Sequence, residues 1–198
     1  LKVVLNMPGR HNVQNALAAI AVATQLKLPD DSVLSALRQF AGVGRRFQLA
    51  GEFSTQAGKV LLVDDYGHHP TEVAATLEAV KEAWPERRSV LVFQPHRYTR
   101  TRDLFEDFTA VLSTADVLVM LDVYPANEQP IAEADSRSLC RAIRIRGQVD
   151  PVFVDTPEAL FDVLMNLLHD GDVIITQGAG NVGAMSAKLV KQLSEASL

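Results

Sequence analysis

The 198-residue chain carries 19 Lys and Arg against 24 Asp and Glu, a formal net charge of -5, and 47% of its residues are hydrophobic. That supplies one full domain with a core, plus a smaller attached piece, and the acidity argues against a nucleic-acid partner, whose phosphates demand a broad basic face. No apolar run approaches the ~20 residues of a membrane span, and Leu1-Lys2-Val3-Val4-Leu5-Asn6 lacks the start of a signal peptide, so a cytoplasmic protein is expected.

The chain opens without Met in what reads as a strand, and is expected to be a piece of something longer. "HNVQNALAAIAVATQL" (11–26) then reads as an alanine-rich helix. "DDSVLSALRQF" (30–40) reads as a second, with Val33, Leu34, Leu37 and Phe40 on one face. "AGVGRR" (41–46) has the glycines of a hinge, and "FQLAGEFS" (47–54) reads as an edge strand. From Lys59 onward short apolar runs at 59–65, 89–94, 116–123, 151–154 and 172–177 alternate with helical spacing. The first of these helices starts at Pro70 and carries Val73, Leu77 and Val80; others are expected near 102–113, 135–145, 156–168 and 181–194. Five strands alternating with helices predict an α/β fold with a Rossmann-like, doubly wound, mostly parallel sheet, preceded by a short helical remnant. The lone Cys140, in "SRSLCRAIR", is expected to pack one helix face.

In such a sheet ligands bind beyond the carboxyl ends of the strands, and the chemistry-bearing residues follow the strands. Those loops read "DDYGHHP", "QPHRYTRTR", "DVYPANEQP", "DTP" and "QGAGNVG", whereas the opposite loops are short turn material. Arginine outnumbers lysine 13 to 6, which suits a small carboxylate or phosphate ligand. Arg97 and Arg100, three apart, are expected to converge on one small anion if a helix starts near Thr99, while Arg102 and Asp103 form a local ion pair. In "DDYGHHPTEV" the Asp pair can bind ribose hydroxyls or a metal, Tyr66 and His68 can donate hydrogen bonds, and Gly67 permits a sharp turn. Asp64 and His69 also read as caps for the following helix. Zinc on His68 and His69 is disfavoured, because adjacent side chains in a turn point apart and no third ligand is suitably spaced. "GAGNVG" matches G-x-G-x-x-G, yet only 15 residues follow Gly183, too few for the βαβ unit of a dinucleotide site. The glycines are read as a close backbone approach, either to a ligand or to a neighbouring helix.

In this order, "PGRHNVQNALAAIAVA", "GVGRRFQ", "VDDYGHHPTEV", "FQPHRYTRTRDLFEDF", "LDVYPANEQPI" and "QGAGNVG" resemble the C-terminal part of the Mur ligases of peptidoglycan synthesis, over essentially the whole chain. The likeness is to the branch that joins L-alanine to UDP-N-acetylmuramic acid. It implies that residues 1–45 are the tail of a central ATP-binding domain and 46–198 a C-terminal, amino-acid-binding domain. It implies ATP-dependent amide formation through an acyl phosphate, with Mg2+ ligands expected in the part not present. Asn15 resembles the family's adenine contact, with His11 and Asn12 beside it, and Arg46 and Asp65 occupy the places that reach the nucleotide. Arg97 and Arg100 resemble the clamp for the alanine carboxylate, assisted by His68 and Tyr66. The P-loop and the magnesium-holding residues of the family are absent, so the chain alone is expected to be inactive, with no catalytic residue of its own. The alternatives are a sister ligase that recycles cell-wall peptide, a NAD-dependent oxidoreductase resting on the glycine motif alone, and a non-catalytic binding module.

Overall fold

The structure is a computed structural model describing residues 2–7, 9–40 and 42–195. Two helices come first, α1 (Arg10–Gln25) and α2 (Asp30–Gln39). Alanine at five positions of α1 favours helix but buries little. Val13, Leu17 and Val22 stay about half exposed, and α2 has no buried residue.

After the linker, β1 (Gln48–Thr55) pairs antiparallel with β2 (Gly58–Asp65), and α3 (Pro70–Ala83) follows. Next come β3 (Ser89–Phe93), α4 (Tyr98–Asp103), α5 (Phe105–Leu112), β4 (Val117–Leu121) and α6 (Ser136–Arg146). The chain continues through β5 (Val152–Val154), a 3-10 turn (Pro157–Ala159), α7 (Leu160–Leu167), β6 (Val173–Gln177) and α8 (Val182–Glu195). The sheet order is β1-β2-β6-β3-β4-β5, and every pair except β1–β2 is parallel. The Rossmann-like reading holds, with the expected edge strand as its one antiparallel member.

Period-two alternation splits the strand side chains between two cores. Leu61, Val63, Leu91, Phe93, Leu118 and Met120 face α3, α5 and α6, while Val60, Leu62, Val90, Val92, Val119 and Ile174 face α7 and α8. Phe93 and Phe108 meet at 5.6 Å, both fully buried, and each such side chain stabilises the fold by roughly 1.5–3 kcal/mol. Cys140 is buried in the first core, as expected, and burial pushes its thiol up to about 11. Among the described residues no helix is long and apolar enough to cross a membrane.

Two helix boundaries differ from the sequence reading. The helix expected over 102–113 begins four residues earlier and breaks at Leu104, where φ is -117° and ψ 25°. Its early start depends on Glu128, a cap delivered from another loop that no local pattern announces. The helix expected from 156 opens as a 3-10 turn at Pro157 before α7.

The linker is fastened to the sheet at its carboxyl edge. Phe47, the first buried residue after the linker, donates its N–H to Asp65 Oδ2 at 2.7 Å and stacks on Trp84 with ring centroids 6.2 Å apart and planes 9° from parallel.

Candidate functional site

Because the parallel strands all end at one edge, the loops after β2, β3, β4 and β6 meet there. A row of rings crosses that edge. Tyr66 meets His68 edge-on at 5.5 Å, His68 meets His96 at 5.8 Å, and His96 stacks on Tyr124 at 5.4 Å. The His96–Tyr124 contact is fixed by the backbone, since Tyr124 N–H donates to Pro95 O and Arg97 N–H to Tyr124 O, extending the β3–β4 pairing past the strands. His68 Nδ1 lies 3.1 Å from the Tyr66 carbonyl, which favours the tautomer with its proton on that nitrogen.

Both arginines named by the sequence stand beside this row. Arg100 Nη1 donates to His96 O at 2.8 Å and lies 3.3 Å from His96 Nδ1, joining it through His96 to the loop of His68. Arg97 is the N-cap residue of α4 with φ +77°, and its Nη1 reaches Glu128 Oε1 at 3.3 Å. The helix therefore starts one residue before Thr99, and the two guanidinium groups rest on different partners, His96 and Glu128. Burial lowers the His96 pKa, and the charges of Arg100, His68 and Arg97 lower it further while Glu128 opposes them. His96 is thus neutral near pH 7 and its neighbourhood is cationic. Arg102 and Asp103 form the expected local ion pair at 2.7 Å.

On the other side of Tyr66 a cleft of about 900 Å3 opens between α1 and α3. Asn12, Asn15, Arg46 and Asp65, expected at a nucleotide, all line it, together with Arg10 and Glu72. Asn15 is exposed and Asn12 buried; the side chain of His11 lies outside the described residues. Arg46 stands over the Tyr66 ring at 5.3 Å, with Arg45 at 5.4 Å on the same ring, so Arg46 joins the Tyr66 end of the ring row to the cleft wall.

Glu72 joins the two regions. Its Oε2 accepts the N–H groups of His68 (2.8 Å) and His69 (3.0 Å), and its Oε1 takes Arg46 Nη1 at 3.4 Å. Burial raises its pKa, but the two amides, the His68 charge and Arg46 outweigh that and leave it below the usual carboxylate range. With His69 Nδ1 accepting from Thr71 N–H, Glu72 completes a capping box on α3, so His69 is a cap as expected.

Asp64 is not a cap. It is buried, and its carboxylate takes Arg45 Nε at 2.8 Å and Thr176 Oγ1 at 2.8 Å, an acceptor role that requires charge compensation in this dry position. Asp65 accepts the N–H of Gly67 and of Phe47, both at 2.7 Å, and Gln177 Nε2 at 3.3 Å. Its carboxylate therefore anchors the Tyr66 loop and the linker together. Among the described residues no three His, Cys, Asp or Glu side chains gather to hold a metal ion.

The glycine motif is explained by packing against the chain itself. A Cβ on Gly178 would come within 2.7 Å of Gln94 O, one on Gly180 within 2.5 Å of Gln94 Oε1, and one on Gly183 within 2.5 Å of Arg45 Cζ. Gln94 Oε1 in turn accepts the Val182 N–H at 3.0 Å, so a side chain from the β3 loop occupies the start of α8. Of the two readings of the motif, close approach to neighbouring protein accounts for each glycine.

Sequence reasoning missed four participants: Arg45, Glu72, His96 and Glu128. For Glu72 a signal was present, Glu three residues after the cap position His69 and two after Pro70. For Arg45 and Glu128 none was local, because their partners lie 19 and 29 or more residues away.

A family model described as Mur ligase, glutamate ligase domain matches residues 45–180. The UDP-N-acetylmuramate-alanine ligase MurC of Thermotoga maritima is 30% identical with a TM-score of 0.78, covering 97% of this chain and 40% of that one. A murein peptide ligase from Psychrobacter arcticus is 22% identical at TM-score 0.65, covering 97% and 38%. Folylpolyglutamate synthase of Thermotoga maritima is 16% identical at 0.58, covering 97% and 40%, and these last two speak to the fold alone. The chain thus spans 38–40% of the length of these relatives.

Proposed function

Because this chain belongs to the Mur ligase family, we propose that it supplies the amino-acid site and part of the nucleotide site of a cytoplasmic, ATP-dependent ligase joining L-alanine to UDP-N-acetylmuramic acid. In this reading residues 1–45 are the tail of a central ATP-binding domain and 46–198 the C-terminal domain. The half-exposed apolar side chains of α1 support that division, since a helix with so little burial needs further protein beside it.

The observation that carries the reading is the contiguity of the two regions. The guanidinium of Arg100 is held at His96, and the row of rings from His96 through His68 to Tyr66 leads from it to Arg46 on the wall of the cleft that Asn15 also lines. Arg97 and Arg100 bind the amino-acid carboxylate, His68 and Tyr66 close the other side, and the amine is left pointing toward the cleft. Neutral His96 adds no further charge next to the substrate ammonium. What the protein contributes is positioning and charge neutralisation.

ATP, when bound, transfers its γ-phosphoryl group to the muramoyl carboxylate, and ADP leaves. The alanine ammonium first gives up one proton to solvent, its nitrogen then attacks the acyl carbon, the bond to phosphate oxygen breaks, and a second proton leaves the nitrogen as phosphate departs. Asn15, with carboxamide donors and acceptors, and Arg46, a half-exposed cation on the cleft wall, fit a nucleotide. Mg2+ is assigned to residues outside this chain, and the chain alone is inactive.

Titrating the 15N-labelled chain with L-alanine tests this. Shifts are expected at Tyr66, His68, Arg97 and Arg100, and Arg100→Ala should weaken them at least about tenfold. Shifts with an L-alanine-led peptide but none with the free amino acid would favour the peptide-recycling alternative. A change in NADH fluorescence on addition of the chain would favour the oxidoreductase.

A further inference from the structure

We infer that Glu128, in the loop after β4, is a positioning residue that sets the arginine pair for the incoming carboxylate; this rests on the substrate reading above. Its Oε2 accepts the Thr99 N–H at 2.9 Å, and its Oε1 accepts the Thr99 hydroxyl at 2.7 Å and Arg97 Nη1 at 3.3 Å. One carboxylate thereby caps α4 in place of its own N-cap residue, whose side chain makes no cap bond. The Arg97 guanidinium has donors only and cannot cap the helix, so the acceptor comes from Glu128, which also takes one of its N–H groups.

The loop is shaped for this delivery. Ala126 (φ +49°) and Asn127 (φ +68°) take consecutive left-handed conformations just before Glu128, which L residues adopt only when their surroundings hold them there. The Glu128 N–H closes the turn on Pro125 O at 3.0 Å, and Arg97 itself has φ +77°. Strained backbone on both sides of one ion pair marks a geometry maintained for what it presents. The carboxylate stays ionised throughout the working range, its pKa lowered to about 2 by the Thr99 amide first, then the Thr99 hydroxyl and Arg97. Arg97 remains 45% exposed, so its free edge is open to a second carboxylate.

Two probes separate positioning from mere stability. L-alanine carries the carboxylate that the arginines address, whereas L-alaninamide lacks it. In the 15N-labelled 198-residue chain, Glu128→Gln is expected to move the Thr99 amide and Arg97 Nε–Hε resonances and to weaken L-alanine about tenfold. The response to L-alaninamide should stay as in the unsubstituted chain. Glu128→Ala should show the same split more strongly, and Glu128→Gln, which conserves volume, keeps the test open if the alanine variant fails to fold. Equal L-alanine affinity in the Gln variant, or equal losses for both ligands, would overturn the inference while leaving the substrate reading intact. No L-alanine response in the unsubstituted chain would overturn that reading, and this inference with it.

Discussion

The guanidinium of Arg45 occupies the space in which a side chain on Gly183 would begin: a Cβ there would stand 2.5 Å from its Cζ. Arg45 is pinned in that space by Asp64 (2.8 Å) and by the carbonyl of Gly178 (2.7 Å), so it has no neutral place to retreat to.

Gly183→Ala should therefore destabilise the fold by about 1–3 kcal/mol, although alanine ordinarily favours a helix by ~0.5–1 kcal/mol over glycine. In an Arg45→Ala background the same substitution should cost little or become stabilising. Urea unfolding of the four proteins gives the coupling, and additive effects would show that Arg45 is not what the glycine accommodates.

Glu72→Ala removes the capping box of α3 and frees the His68 and His69 amides. A loss of about 1 kcal/mol at pH 7 is expected, read from the denaturant midpoint. The folded pKa of Glu72 lies below the ordinary value, so its contribution is present above the unfolded pKa and lost as pH falls through the folded one. Wild type and variant should accordingly draw together in acid. A gap that is constant from pH 7 to acid would contradict the assignment.

His96 should titrate below 6.5 in the folded chain, read from its imidazole resonances. A depressed histidine gives stability that is present above the unfolded pKa and lost as pH falls through 6.5 toward the folded value. Arg100→Gln removes one of the charges holding it down, so its midpoint should rise. An unchanged midpoint would mean that the Arg100 charge does not act on His96.

Strand positions, the edge strand and the two-sided covering by helices were legible because each rests on local periodicity and composition. Legible too were the loops at the carboxyl edge, since strand direction alone sends Tyr66, His68, Arg97 and Arg100 to the same side. The partner of each charged group was not. Asp64 read as a cap because it precedes a helix by a few residues, but Arg45 reaches it from the linker, and Thr176 from β6, 112 residues away. The start of α4 was misplaced for the same reason, its cap arriving from Glu128. Glycines 178, 180 and 183 matched a nucleotide fingerprint by spacing, while the space they leave is taken up by Gln94, Tyr124 and Arg45. Spacing reports that room is required; only the folded chain reports what fills it.

The chain has one tryptophan, and it is the ring against which Phe47 stacks. Its indole emission is consequently a built-in optical gauge of whether the linker is seated on the sheet, readable without any label. Nucleotide or amino-acid binding that loosens the linker would change that signal even when every strand stays in register.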